Sequence, residues 1–297
     1  MNYIGEIAAL LTALCWAFTS VIFTDASRKI GSVSVNVFRL TFAFIYLSIL
    51  IIVTDKNIDL SYNHYLFLAL SGFIGLVVGD SFLYLSYKKV GPRIGMLMMS
   101  LDPAITTLYG FLILNESLSF QALFGITLTI FGVALVILQK DSNSNQAEKK
   151  NMIWGVIFGF FAAIGQGTGL LFTKMAFMEG ELNSFVANYF RIITALILIT
   201  PLTFFMKDFS NPLKVFKFNK KVLLLIGAGS FIGPFVGITL SLYAISATEL
   251  GVATALMGTV PIMLLPISKF YYKEKLSLKS VLGAFIAVGG IFILFLR

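Results

Sequence analysis

Runs of about twenty apolar residues, separated by short connectors carrying charge, Pro or Gly, recur along the whole of this 297-residue chain. A helix rises ~1.5 Å per residue, so each run is long enough to cross the ~30 Å hydrocarbon core of a bilayer. In lipid, a backbone that cannot reach water must satisfy its own hydrogen bonds, which a helix does within one segment. Bounding the runs gives ten predicted spans, at roughly residues 3–24, 33–54, 64–87, 92–114, 119–138, 152–175, 183–206, 221–246, 250–272 and 277–296. The expected fold class is an all-α membrane protein of ten transmembrane helices. Charged residues are only 12% of the chain. A soluble domain usually carries about 25%, roughly twice as much, so a soluble enzyme is not expected.

The net charge of +8 sits in the connectors without forming a basic stripe. Lipid headgroups rather than nucleic acid are therefore the expected counter-charge. Cys15 is the sole cysteine, which removes an intrachain disulfide and a cysteine-rich metal site from consideration. The N-terminal run lacks the basic flank and polar cleavage segment of a secretory signal and reads as a retained span.

One connector, residues 139–151, is strongly polar and divides the chain into five spans and five, residues 1–138 and 152–297. It has too little apolar surface to order itself. The halves resemble each other. Pro103, Glu116, Leu118, Ser119, Gly125 and Gly132 recur 158 positions later as Pro261, Glu274, Leu276, Ser277, Gly283 and Gly290. Phe73 to Gly75 recurs as Phe231 to Gly233, Gly79 as Gly237, and at an offset of 152 Phe38-Arg39 recurs as Phe190-Arg191. Five is odd, so the second copy enters the membrane from the opposite side. The expectation is an inverted repeat around a central cavity that opens to either side in turn.

The positive-inside rule counts Lys and Arg in short connectors. Alternate connectors, beginning with the first, hold 17 of them, against Lys56 and Arg297 in the remaining connectors and termini. That bias predicts the rich connectors inside the cell and both termini outside.

Ionisable groups at membrane depth are costly and so mark candidate sites. Asp80 and Asp102 lie inside the third and fourth spans. Helical spacing puts Asp80, Tyr84 and Tyr87 on one face, as it does Gly95, Met98 or Met99, Asp102 and Thr106. Such carboxylates suit binding of a cationic group or exchange of a proton; satisfaction by neighbouring hydroxyls is the competing reading. Trp16, Thr19, Ser20, Gln166 and Thr168 are polar or amphipathic groups in the first and sixth spans, and Tyr243, Thr254 and Met257 complete the expected cavity lining. Pro103 and Pro261 interrupt matching spans as candidate hinges. Arg39 and Arg191 read as structural, snorkelling to the interface or holding a helix end. Glu116 and Glu274 read as helix caps.

Together the ten runs, the duplication, the Phe-Arg pairs and the segments Ser100 to Leu118 and Gly258 to Leu276 resemble the EamA family of the drug/metabolite transporter superfamily, one unit per half. The resemblance implies a basket of ten helices, with spans 1, 3, 4, 6, 8 and 9 lining the cavity and 5 and 10 outside it. It further implies a carrier in the cell membrane for amino acids, related metabolites or drugs, with export the expected direction. Asp102 stands just before the helix-breaking proline, where many members carry Glu or an uncharged residue, and Val260 in the second half lacks the acid. Members usually keep both termini in the cytoplasm, the reverse of the charge count. No phosphate-binding loop and no hydrolase motif is present, so neither a cofactor nor an enzyme is expected. The proton is the candidate coupling ion and a monomer the expected state. The rival readings are a channel, a scaffold and a membrane-embedded enzyme.

Overall fold

The computed structural model describes residues 3–56, 58–113, 119–138, 146–203, 209–210, 215, 217, 219–247, 250–274 and 276–295. Every regular element among them is helical. Helix α1 (Ile4–Ile30) is separated from α2 (Ser32–Thr54) by Gly31 alone, so Arg28 and Lys29 sit in the last turn of α1 rather than in a loop. The third element starts as α3 (Tyr62–Ser71), widens into a π-helical stretch, Gly72–Gly79, and continues as α4 (Asp80–Met98). A 3-10 turn, Met99–Leu101, leads into α5 (Asp102–Ile113). Then come α6 (Phe120–Ile137), α7 (Gln146–Met178) and α8 (Ser184–Thr203). Helix α9 (Lys220–Ser230) runs through a second π-helical stretch, Phe231–Gly237, into α10 (Ile238–Ala247). The chain closes with α11 (Leu250–Met257), α12 (Val260–Phe270) and α13 (Leu278–Phe295).

Among the described residues, eight helical stretches are long and apolar enough to cross a bilayer, and Leu278–Ile293 is a shorter apolar helix. One stretch, Tyr62–Ile113, is 52 residues long. It does not run straight, because Gly91 takes φ 79° inside α4. That left-handed conformation is open to glycine. The Tyr87 hydroxyl donates to the Met96 sulfur at 2.6 Å. On an unbroken helix, residues nine apart would stand about 13.5 Å from each other along the axis. The chain therefore folds back at Gly91.

Of the polar connector, residues 139–145 lie outside the described residues. The remainder, Gln146–Asn151, is exposed yet helical, as the first turns of α7. The expectation that this connector cannot order itself is thus corrected for its second part: an apolar helix below it supplies the nucleus, and each added turn needs only propagation.

Side-chain contacts sort the connectors into two ends. At one end Tyr271 and Tyr272 donate to the Asp25 carboxylate at 2.8 and 3.1 Å, and the Arg28 guanidinium faces the Tyr272 ring at 5.8 Å. The same end holds the Arg93–Glu274 ion pair at 2.7 Å, Lys89 donating to Asn151 at 3.0 Å, and Ser210 bound to Ser34 and Ile30. At the other end Asn63 donates to Glu179 at 2.8 Å, and a cleft is lined by Lys56, Asp59, Lys174 and Glu181.

Between the ends, residues equivalent in the two halves make matching contacts. Asn36 donates to the Leu76 carbonyl and the Ser81 hydroxyl, and Asn188 donates to the Pro234 carbonyl and the Thr239 hydroxyl, each acceptor lying 158 positions after its counterpart. Helix α6 packs on α13 reciprocally: a Cβ on Gly132 would meet the Ala287 backbone, and one on Gly290 would meet the Thr129 backbone. Ala287 is the counterpart of Thr129, and Gly290 of Gly132. Small residues let these backbones approach closely, which drives helix association where water does not. Likewise Gly79 abuts Gly165 and Gln166 of α7, while Gly237 abuts Cys15 and Trp16 of α1.

Candidate functional site

The widened turns and the glycine contacts leave a central cavity of about 110 Å³ between the halves. At ~30 Å³ for each water in the liquid, that is room for about four waters or one small solute. Trp16, Thr19, Ser20 and Phe23 of α1 line it. Their i, i+3, i+4, i+7 spacing is that of one helix face. Asp80 enters at the end of the π-helical stretch, followed by Tyr84 and Tyr87 on the same face of α4. Gln166 comes from α7, and Thr254 and Met257 from α11. Among the described residues, α6 and α13 contribute nothing to the wall.

Asp80 is the most heavily bound group. One carboxylate oxygen pairs with the Arg39 guanidinium and the other accepts from the Gln166 amide, which also reaches the Gly75 carbonyl at 3.3 Å. Arg39 is held in turn by its Nε donating to Asn36 Oδ1 at 3.0 Å, and its guanidinium lies 5.1 Å from the centre of the Tyr84 ring. A buried charge pair needs further hydrogen bonds to offset its desolvation, and Asn36 and Gln166 supply them here.

Asp102 and Pro103 enter where the helix restarts after the 3-10 turn, and Gly258, Val260 and Pro261 line the matching break before α12. Both prolines stand at the beginning of a new helix, where the missing N–H is no loss. Asp102 Oδ1 is buried with no hydrogen-bond partner, packed in the space left by the absent Cβ of Gly167.

Of the residues expected from the sequence to line the cavity, Trp16, Thr19, Ser20, Asp80, Tyr84, Asp102, Gln166, Thr254 and Met257 do so, with Pro103 and Pro261 beside them. Met98 and Tyr243 do not. Met98 packs on Gly159 of α7, and the 3-10 turn brings Met99 to the wall instead. The tighter three-residue period of that turn is the cause. Tyr243 is on the exposed surface. Thr168 bonds Tyr109 at 2.9 Å, away from the lining.

Arg39 and Arg191, expected to snorkel to the interface or to hold a helix end, are 3% and 2% exposed and both line the cavity. The signal that finds them is the pairing rule: a carboxylate inside one span calls for a cation inside another, and Arg39 is the available partner for Asp80. Glu274, expected to cap a helix, pairs with Arg93 instead, and the Ser277 hydroxyl takes the cap by accepting from the Ser280 N–H at 3.1 Å. Ser119 caps α6 in the same way, at 3.0 Å from the Ala122 N–H. A hydroxyl at the N-cap reaches the free N–H groups without desolvating a charge. Glu116 lies outside the described residues.

Comparison with known proteins gives this arrangement a context. An uncharacterized transporter of Archaeoglobus fulgidus is 22% identical over 288 residues, covering 97% of this chain and 96% of that one. A solved crystal structure superposes with a TM-score of 0.70 at 12% identity, over 99% of this chain and 96% of the other, and so shares the fold. The EamA-like transporter family matches twice, over residues 3–138 and again over 153–296. With nearly the whole chain taken up by two such units, this multi-pass membrane protein belongs to the EamA-like transporter family.

Proposed function

We propose that the chain is a secondary carrier of ten membrane crossings, arranged as two inverted five-helix repeats, that moves a small metabolite such as an amino acid by alternating access. The observation that carries the reading is the cavity itself: it holds two carboxyl and two guanidinium side chains at the junction of two halves whose contacts are reciprocal. Support for ten comes from the eight long apolar stretches among the described residues, with Tyr62–Ile113 counted twice because of its reversal at Gly91, and the shorter helix Leu278–Ile293. Reciprocal contacts are what a two-fold relation between repeats produces. Exchanging the conformations of two such repeats opens one site to alternate sides.

The Lys- and Arg-rich end that gathers Arg28, Lys89 and Arg93 faces the cytoplasm in this reading, which leaves both termini outside the cell membrane. Export is the proposed direction, and the chain works as a monomer. A proton is the coupling ion, and the two carboxylates divide the labour. Asp80 is held by Arg39 and Gln166, whereas Asp102 Oδ1 has no bond to lose on protonation. A carboxyl group inside a membrane that can gain or lose a proton without breaking a contact suits a proton relay.

The test is counterflow in proteoliposomes, loaded with each compound that raises the melting temperature of the purified protein. A carrier concentrates labelled substrate transiently against excess unlabelled substrate, and a channel does not. Asp102→Asn is expected to abolish acceleration by an imposed pH gradient while preserving counterflow. Gradient-driven uptake by that variant would remove the proton assignment.

A further inference from the structure

The two halves match in backbone and differ in charge at one telling place. Arg39 and Arg191 are equivalent, as are Asn36 and Asn188, each three residues earlier. In the first half Arg39 Nε donates to Asn36 Oδ1, and the guanidinium is neutralised by Asp80. The position equivalent to Asp80 is Ile238, which also lines the cavity. In the second half neither bond is seen among the described residues: Arg191 Nε and Asn188 Oδ1 are both buried with no hydrogen-bond partner there. Arg191 instead extends toward the first half, with a terminal nitrogen 3.5 Å from the place a Cβ on Gly75 would occupy. It is 2% exposed and in the cavity wall. Its nearest carboxylate neighbourhood is already taken, because both oxygens of Asp80 are bound by Arg39 and Gln166.

Arg191 thus shares the charge of Asp80 with Arg39 and leaves its Nε without an acceptor; a buried guanidinium so weakly matched is costly, and it persists where a partner arrives from outside. Resting on the carrier reading above, we propose that Arg191 is the anion subsite of the cavity and takes the carboxylate of a carboxylate-bearing substrate. A guanidinium presents two parallel N–H donors that match the two oxygens of a carboxylate. Arg39 is spent on Asp80, and Asp102 also lines the cavity, so no positive charge beyond that of Arg191 is left for a ligand, which suits a monoanionic group better than a phosphate dianion.

The experiment uses the full chain in detergent micelles and follows thermal unfolding against a panel of the common amino acids and short monocarboxylic acids, each beside its own carboxamide. Acids are expected to raise the melting temperature where their amides do not, and Arg191→Gln is expected to weaken the apparent affinity at least about tenfold, with Arg191→Lys between the two. Ile238→Asp provides an independent variant that adds a carboxylate instead of removing a cation. It supplies Arg191 with an internal partner, as Asp80 does for Arg39, and is expected to fold and to lose the response to acids. Stabilisation by amides equal to that by acids, no response to any acid at millimolar concentration, or an undiminished response in Ile238→Asp would overturn the assignment. Counterflow separates the two readings: an amide exchanged as fast as its acid removes the carboxylate subsite and leaves the carrier, whereas a stabilising acid that never exchanges removes the carrier.

Discussion

Removing the Asp80 carboxylate is the sharpest probe of the cavity's architecture. Asp80 and Arg39 are 5% and 3% exposed, so neither charge can recover its hydration when the other is deleted. In Asp80→Ala, Arg39 keeps its bond to Asn36 Oδ1 and its place over the Tyr84 ring, but both interactions are present before the change and offset nothing. Gln166 keeps the Gly75 carbonyl as an acceptor. The loss is therefore that of breaking a buried pair by removing one partner, about 3–5 kcal/mol. Deleting both charges, as in Arg39→Met with Asp80→Leu, removes the orphan and is expected to recover stability to within about 1–2 kcal/mol of the parent. The assay is equilibrium unfolding in mixed micelles of the parent, Arg39→Met, Asp80→Leu and the double variant, read as a double-mutant cycle with a coupling of about 2 kcal/mol or more, with Asp80→Ala measured beside them. A cost below about 1 kcal/mol for Asp80→Ala, the value for a solvent-exposed pair, refutes the reasoning, as does a double variant no better than the worse single one.

Three further outcomes follow from the geometry. In Gly132→Ala and Gly290→Ala each added methyl meets a backbone on the partner helix. Both are expected to destabilise the protein by similar amounts, about 1–3 kcal/mol each. Gly289→Ala is the control, since nothing lies within 4 Å of the new methyl. Helix propensity predicts for it a gain of up to about 1 kcal/mol in the same unfolding assay. Gly91 has φ 79°. A residue with a Cβ is strained there, so Gly91→Ala is expected to cost about 1–2 kcal/mol in that assay. The fourth concerns pH. The hydrogen bond to Asp25 and its charge hold the Tyr271 hydroxyl above the ordinary tyrosine range, and burial, then Asp25, does the same for Tyr272. A folded pKa raised above the unfolded one contributes stability that is fully present below pH ~10 and fades as pH climbs through the folded value. The melting-temperature gap between the parent and Tyr271→Phe/Tyr272→Phe should stay level from pH 7 to about 10 and shrink above it; a gap that widens in alkali contradicts this.

Helix positions were legible because lipid imposes one strict demand, an apolar run that satisfies its own backbone, and the runs show it directly. The side of the cavity on which a residue stands was less legible. A π-helical stretch before Asp80 and a 3-10 turn before Asp102 each alter the residues per turn, so extrapolation at 3.6 per turn leaves Met98 and Met99 both open where the wall has Met99. The arginines are harder to read for another reason. Symmetry in sequence suggests a shared task for Arg39 and Arg191, whereas their contacts diverge: Arg39 pairs with Asp80, while the position equivalent to Asp80 is Ile238 and Arg191 reaches toward Gly75. Glu274 was misjudged because a carboxylate near a helix start fits a cap equally well until the third connector brings Arg93 within reach.

The glycine clasp between α6 and α13 also sets a schedule for biogenesis. Each partner of the clasp lies 158 residues from the other along the chain, so α6 emerges from the ribosome with its glycine face uncovered. At ~5–20 residues per second, about 8–30 s pass before α13 is made. Throughout that interval a stripe built for tight backbone contact faces lipid or another helix, and the arrival of α13 ends the exposure.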